Sequence, residues 1–448
     1  MMQVLLAAPS SGSGKTIVTC ALLRALRRRG LDPCSFKCGP DYIDPMFHRA
    51  ALGVDSCNLD LFLSDEQTVR GLYARHCQKH GAAVCEGVMG FYDGVGGTTT
   101  QASAWHLADT LNLPVLLILR PKGASLTLAA QINGLKSFRT PSHLTGILLN
   151  DCSPMLADSL APMLKQETGL PVLGYLPHLP EAAIKSRHLG LCTASEIADL
   201  DRRLDVLADA LEENTNLSRL LALCDRAAPP WTGTQRRKPP CARIAVAQDE
   251  AFCFAYAESL AALENAGAEL VPFSPLHDAA LPPDVGGLYL PGGYPELYAE
   301  KLAQNERVRR SIREALESGL PTVAECGGFL YLCRSLQDAN GASWPMAGVL
   351  PGEGVRTGKL VRFGYAHLTA EHDSLLFRTG EIIPVHSFHH WDCSENGAAF
   401  GLKKPVAGRL WREGFASPTL YAAFPHLYFA GQPRLIERFI QAAKEAVK

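Results

Sequence analysis

The first half of the chain alternates short apolar runs with segments whose apolar positions recur every three or four residues. Six runs, Val4–Pro9, Cys34–Lys37, Ala82–Cys85, Pro114–Leu119, Leu144–Leu149 and Pro171–Tyr175, read as strands buried on both faces, the pattern of a parallel sheet. The stretches between them suit crossover helices. From Thr16 to Arg29, Val18, Leu22, Ala25 and Leu26 share one face, and Gly30 stands where a helix can close. This predicts a doubly wound α/β domain.

From Ala227 to Pro240 the periodicity stops while proline, glycine and basic residues gather. The expected organisation is therefore a first domain over 1–226, a linker over 227–241 and a second domain over 242–448. In the second, a strand at Ile244–Ala247, a helix from Tyr256 to Ala266 ended by Gly267, and strands at Leu270–Phe273, Leu288–Leu290 and Thr322–Ala324 again predict α/β. The tail from Pro433 to Lys448 sets Leu435, Ile436, Phe439, Ile440 and Ala443 against Arg434, Glu437, Arg438, Lys444 and Glu445. A final helix docked on its own domain is expected there, rather than one lying on a membrane.

Composition narrows the class. At 448 residues, 47% hydrophobic and 20% charged, the chain has enough apolar material for two full cores. A formal net charge of −2 supplies no general attraction to nucleic acid or an anionic membrane, so small molecules are the expected partners. No apolar run approaches the roughly 18 residues of a membrane span. Val4–Ala8 lacks a positive flank and runs into a glycine-rich loop, which marks a core strand and not a signal peptide. The 14 cysteines show no disulfide-like spacing, so reduced thiols and a cytoplasmic location are expected. Cys34, Cys38 and His48 match no zinc spacing.

Two motifs carry chemistry. Ser11-Gly12-Ser13-Gly14-Lys15-Thr16 lies between a strand and a helix. There Gly12, Ser13 and Gly14 can turn backbone N–H groups toward phosphate oxygens, Lys15 can reach the β/γ-phosphates, and the Thr16 hydroxyl can ligate Mg²⁺. The usual loop has glycine six residues before the lysine, where this chain has Pro9. Acidic clusters follow two strands, at Lys37–Pro45 with Asp41, and at Glu86–Gly94 with Asp93; such strand ends are where open α/β sheets bind ligands. Acids in Gly/Pro loops also serve simply as turn formers, and that alternative stays open.

The second motif is Ala324-Glu325-Cys326-Gly327-Gly328, a cysteine at a sharp strand-to-helix corner. The nearby helix N-terminus is expected to lower the Cys326 pKa and favour the nucleophilic thiolate. Gly327 and Gly293, in the Leu290–Glu296 turn, are the expected oxyanion donors, and His426 is the expected base ahead of His386, His389 and His390.

With these residues in order, the chain resembles the cobyrinic acid a,c-diamide synthase family over nearly its whole length. The carrying segments are Ala8–Thr16, Phe36–Pro45, Asn58-Leu59-Asp60, Glu86–Gly94, Arg187–Leu191 and Ala324–Gly328. The resemblance accounts for Pro9 and implies a dethiobiotin-synthetase-like P-loop domain joined to a class I, triad-type glutamine amidotransferase domain. It implies ATP with Mg²⁺, contacts to them from Lys15, Thr16, Lys37 and Glu86, and action at the substrate carboxylate by Asp41 and Asp93. Cys326 is similar to the family nucleophile and His426 to its activating histidine.

The implied reaction amidates the a- and c-side-chain carboxylates of cobyrinic acid, through an acyl phosphate and ammonia released from L-glutamine at Cys326. Ammonia needs shielding from protonation, so a protected path to the acyl phosphate is expected. Alternative acceptors are nickel-sirohydrochlorin and hydrogenobyrinic acid, and cobyric acid synthase is a related activity; a P-loop switch ATPase with an inactive second domain is a reading from another class. Self-association, where it occurs, is expected to give a homodimer. The chain departs from the family pattern at Ser387, where Glu is common, at Arg120, where Asp is common, and at Tyr428, where His is common. Related amidotransferases place a carboxylate two residues after the histidine, so Tyr428 leaves His426 with no evident acidic partner in the sequence.

Overall fold

The computed structural model describes residues 1–446 apart from 185, 188–189, 192–196, 198, 232 and 234–236. The chain divides into two compact units, Met1–Gly233 and Thr234–Lys448. The middle of the expected linker and His188-Leu189 of the Arg187–Leu191 stretch lie outside the described residues.

The first unit runs β1 (Met2–Ala7), α1 (Lys15–Arg28), β2 (Pro33–Cys38), α2 (Ile43–Leu52), β3 (Asp55–Leu59), α3 (Glu66–Cys77), β4 (Ala82–Glu86) and α4 (Ala104–Leu111). It continues through β5 (Val115–Leu119), α5 (Leu126–Phe138), β6 (Leu144–Asn150), α6 (Pro154–Thr168), β7 (Val172–Leu176), the short pair β8 (Ser186–Arg187) and β9 (Gly190–Leu191), α7 (Leu200–Asn214) and α8 (Leu217–Leu223). Seven strands form a parallel sheet in the order β3-β2-β4-β1-β5-β6-β7. Their apolar runs are sealed: Val4, Leu5, Leu6, Ala83, Val84, Leu117 and Ile147 have no exposed surface. On α1, Val18, Leu22, Ala25 and Leu26 are buried as the spacing predicts. Arg24, Arg28 and Arg29 meet Asp205, Asp209 and Glu212 of α7, half-exposed pairs that align the two helices and each contribute about 0–1 kcal/mol.

Strand β3 escapes the sequence pattern because it is a short edge strand, Asp-Ser-Cys-Asn-Leu, with polar residues inside it. The run expected at Val4–Pro9 ends at Ala7, and Ala8-Pro9 begin the loop.

The second unit runs β10 (Ala242–Ala247), α9 (Ala257–Asn265), β11 (Ala268–Phe273), β12 (Gly287–Leu290), α10 (Ala299–Gln304), α11 (Glu306–Glu317), β13 (Thr322–Glu325) and α12 (Gly327–Leu332). Then come β14 (Ser335–Gln337), β15 (Ser343–Pro345), β16 (Glu353–Ala370), β17 (Ile382–Cys393), β18 (Phe400–Lys403), β19 (Leu410–Glu413), β20 (Phe415–Ser417), β21 (Leu420–Ala423) and α13 (Pro433–Glu445). The main sheet has the order β11-β10-β12-β13-β21-β20, parallel except for the β20 edge. A second sheet, built on the long antiparallel β16–β17 arms, has no counterpart among the predicted strands. Its strands carry Gly, Lys, Arg and His between the apolar residues, which masks the alternation. Helix α13 docks on its own unit: Leu435, Ile436, Phe439, Ile440 and Ala443 are buried, and Ala443 and Phe439 close over Gly287 of β12. No described helix is long and apolar enough to cross a membrane.

Candidate active sites

In the first unit the site grows from three neighbouring strand ends. Because β2, β4 and β1 are adjacent and parallel, Lys37 lies in register with Glu86, and Glu86 with Leu6, just before the loop that follows Ala7. That loop turns through Gly12 at φ 78° and Gly14 at φ 94°, backbone angles that favour glycine. A methyl on Gly14 would also meet Asn150 Nδ2 at 1.9 Å, and Asn150 donates from that atom to the Ser13 carbonyl at 3.0 Å. Ser13 Oγ donates to the Ser10 carbonyl at 3.0 Å, closing the loop on itself.

Lys15 is buried and donates to the Met89 carbonyl at 2.6 Å and the Ser10 carbonyl at 3.3 Å. Burial, reinforced by the Lys37 charge, lowers its pKa to about 8, while Glu86, Asp93 and Asp44 pull the other way. The Thr16 hydroxyl donates to Glu86 Oε1 at 2.6 Å, and Lys37 Nζ reaches the same oxygen at 2.7 Å and Asp44 Oδ2 at 2.5 Å. Burial works against the Lys37 ammonium, yet Asp44, Glu86 and Asp41 together hold its pKa well above the ordinary value. Burial pushes the Glu86 carboxyl upward against the pull of Lys37.

Asp41 and Asp93 each spend an oxygen on their own turns. Asp41 Oδ1 accepts from the N–H groups of Ile43 and Asp44, while its Oδ2 lies 4.0 Å from Lys37. Asp93 Oδ2 accepts from the Gly90 N–H at 2.9 Å. The structure thus brings Lys15, Thr16, Lys37, Glu86, Asp41 and Asp93 to the carboxyl end of one sheet, and adds Asp44, His48 and Asn150. Burial lowers the His48 pKa to about 4, so its ring is neutral beside Glu86.

The residues suit a magnesium nucleotide on an observation independent of any relative. Glu86 Oε2 is buried with no hydrogen-bond partner among the described residues, and the other oxygen already touches the Thr16 hydroxyl. Hard oxygens of this kind beside a glycine nest fit a small divalent cation and its phosphates.

In the second unit three parallel strand ends again converge. Register pairs Leu290 of β12 with Ala324 of β13, and Glu325 of β13 with Ala423 of β21, so the loops carrying Gly293, Cys326 and His426 emerge side by side. Cys326 alone links β13 to α12 at φ 48° and ψ −104°, a conformation costly for a residue with a side chain. Its N–H donates to the Ala423 carbonyl and its carbonyl accepts from the Leu330 N–H, so both neighbours over-determine the corner.

A methyl placed on Gly292 would stand 2.5 Å from Cε1 and 3.3 Å from Nε2 of His426, and 3.5 Å from Cβ of Cys326. The imidazole edge and the cysteine thus both border the space beside Gly292. A methyl on Gly327 would stand 3.0 Å from the Gly293 nitrogen, which brings the two expected oxyanion donors together, and the Gly327 N–H faces the Cys326 thiol.

The expected thiolate is not found. Burial raises the Cys326 pKa well above the ordinary thiol value, Glu296 adds to it, and the Gly327 N–H only partly offsets them. Cys326 is 6% exposed, and desolvation outweighs a short helix's N-terminus. The resting group is a thiol. The missing acidic neighbour is also supplied: Glu325 Oε2 lies 3.4 Å from His426 Nδ1. Tyr428 is instead a core residue, edge-on to Tyr256 with ring centroids 5.1 Å apart. His389 stacks on Phe424, and His386 pairs with His426 through backbone, its carbonyl accepting from the His426 N–H at 2.9 Å.

Comparison with known proteins assigns each unit to a domain family. Residues 4–190 match the CobQ/CobB/MinD/ParA nucleotide binding domain, and residues 243–433 match the CobB/CobQ-like glutamine amidotransferase domain. Cobyrinate a,c-diamide synthase of Synechococcus sp. is 37% identical, covering 99% of this chain and 99% of that one. The chain belongs to the cobyrinate a,c-diamide synthase family. The Salmonella typhimurium relative of the same name is 37% identical over 99% of this chain and 98% of its own, and that of Caldanaerobacter subterraneus is 35% identical over 97% of each. Like these relatives, the protein is a ligase of the glutamine-hydrolysing amidotransferase type.

Of its departures from the family pattern, Arg120 pairs with Asp151, which also holds His178 Nδ1 at 2.7 Å, so the arginine is neutralised locally. Ser387 is buried on β17. Asp44 and Glu325 lay inside the quoted motifs but carried no individual signal, because their importance depends on which atoms the folded chain sets beside them. Asn150 had only its place at a strand end.

Proposed function

We propose that the protein amidates the a- and c-side-chain carboxylates of cobyrinic acid, using ATP and the amide nitrogen of L-glutamine. The carrying observation is the pairing, in one chain, of a phosphate loop above a buried Lys37–Asp44–Glu86 cluster with a cysteine elbow facing His426.

In the second unit His426 takes the proton from the Cys326 thiol as the sulfur attacks the side-chain amide carbon of glutamine. The raised pKa of that thiol favours proton removal during attack over a standing thiolate. The Gly327 and Gly293 N–H groups hold the oxyanion, a thioester forms, and the proton leaves with ammonia. Water then attacks the thioester to give glutamate and the free thiol.

In the first unit the Gly12–Gly14 backbone and Lys15 bind the nucleotide phosphates. Thr16 and Glu86 would hold Mg²⁺, which supplies charge neutralisation at the phosphates. The γ-phosphoryl group passes from ATP to a carboxylate oxygen of the corrinoid, leaving ADP; ammonia attacks the acyl carbon, and phosphate and a proton depart. Asp41 and Asp93 orient the carboxylate and the incoming nitrogen, and Lys37 keeps the acidic cluster charge-balanced. The cytoplasm, with reduced thiols, suits this chemistry.

The test is mass spectrometry of candidate tetrapyrroles after incubation with ATP, Mg²⁺ and glutamine. Gain of two amides on cobyrinic acid supports the reading. Exclusive conversion of hydrogenobyrinic acid or nickel-sirohydrochlorin would reassign the acceptor, and amidation of the diamide alone would make the protein a cobyric acid synthase.

A further inference from the structure

We infer that Glu325, the residue immediately before the nucleophile, is the carboxylate that positions His426; the inference rests on the roles proposed above for Cys326 and His426. The imidazole has two duties that point in opposite directions. Its Cε1–Nε2 edge faces the space beside Gly292 and Cβ of Cys326, so Nε2 must be the nitrogen that accepts the thiol proton. Nδ1 must then carry hydrogen and needs an acceptor behind it. Glu325 Oε2 is there, 3.4 Å away, a separation of the kind that tightens when substrate binds.

The carboxylate is built in. Glu325 is 1% exposed, and burying a charge is costly unless its lone pairs are met. Oε1 accepts from the Leu427 N–H at 3.0 Å, and Oε2 from the Tyr289 hydroxyl at 3.1 Å. Leu427 follows His426, so one carboxylate ties down both the loop that carries the imidazole and the ring itself. Because Glu325 ends β13 and Cys326 follows it, the nucleophile and the group orienting its base are set by the same strand. The place where related amidotransferases carry a carboxylate is filled here by the buried ring of Tyr428, and His386, bonded through its carbonyl to the His426 N–H, is held neutral by burial, its pKa lowered to about 3.

The test uses the full chain carrying Glu325→Gln, His426→Ala, or both, with glutamate release as the readout. Synthesis driven by ammonium salt reports on the first unit, and a thermal melt of the full chain on folding of the second. Glu325→Gln preserves size and an acceptor for the Leu427 N–H while replacing the negative charge beside Nδ1. The expected result is a roughly 10²- to 10⁴-fold fall in kcat for glutamine hydrolysis, with KM for glutamine within about twofold. Ammonium-driven synthesis stays normal, and Glu325→Gln adds no further loss to His426→Ala. An equal loss with and without the imidazole, or a loss confined to KM, overturns the inference. A crippled His426→Ala beside an intact Glu325→Gln overturns it alone; intact hydrolysis in His426→Ala overturns the reading of His426 and this inference with it. If Glu325→Gln does not accumulate, Glu325→Asp serves: the carboxylate retreats by one methylene, a roughly tenfold kcat loss that requires His426 is expected, and an additive loss overturns the inference.

Discussion

The phosphate loop and the cysteine elbow occupy the same kind of place, a parallel strand end feeding a helix, yet they do opposite things with it. Between β1 and α1 the chain spends the whole Ala8–Gly14 segment, with two left-handed glycines, and leaves a nest of N–H groups. Between β13 and α12 it spends one residue, Cys326, and leaves a strained corner with a buried thiol. The first junction is surrounded by charge, with Lys15, Lys37, Asp44 and Glu86 within reach of one another. The second has Glu325 behind its histidine, and its sulfur is buried in the unit's apolar core with the Glu296 carboxyl acting on it. Loop length and local charge, not sheet topology, separate the junction proposed as a phosphate cradle from the one proposed for acyl transfer.

Substitutions can break that comparison, and the largest effect belongs to the sulfur. Cys326→Ala should lower glutamine-driven synthesis by roughly 10³-fold or more while synthesis from ammonium salt continues. Loss of both would show that the two junctions do not act separately. On the other side, Lys15→Ala and Asp93→Asn should each lower synthesis from either nitrogen source by roughly 10²-fold, measured as steady-state diamide formation. Normal rates for Asp93→Asn would leave that residue a turn former only.

Gly292→Ala sharpens the geometry of the elbow. Its methyl would stand 2.5 Å from Cε1 of a buried His426, so the ring must move. Glutamine hydrolysis should fall roughly ten- to hundredfold with ammonium-driven synthesis preserved, and an unchanged kcat would mean that the imidazole position is not critical.

The smallest effect is expected away from both junctions, at Glu381, which Arg438 of α13 grips through both carboxylate oxygens. That hydrogen-bonded pairing lowers the Glu381 pKa from 4.5 to about 2. A depressed carboxyl pKa stabilises the fold above the unfolded value, and the contribution disappears as pH falls from 4.5 toward about 2. Glu381→Gln should therefore cost about 1 kcal/mol at neutral pH and almost nothing near pH 2, read from thermal melts, with both half-activities intact.

Much of this was legible in order along the chain. Continuous apolar runs mark parallel strands because both faces of such a sheet are covered, and a glycine-rich segment ahead of Lys15-Thr16 has few other uses. Edge strand β3 and the β16–β17 arms were hidden, since a strand with a wet face or edge tolerates polar residues that erase the signal. The ionisation of Cys326 differs from expectation for a related reason: a sequence shows the helix that follows a cysteine, but not how much water the fold removes from it.

The sequence by itself determined the two α/β units, the two candidate junctions and the family to which they belong, because local backbone demands and apolar periodicity are written in consecutive residues. Only the tertiary structure decided which groups meet. Strand register set Lys37 against Glu86, and the β12–β13–β21 order brought Gly292 to His426. The pairing of Glu325 with His426, residues about a hundred positions apart, followed from the same packing. Electrostatic coupling depends on distance through space and on excluded water, and neither is a property of neighbours in the chain.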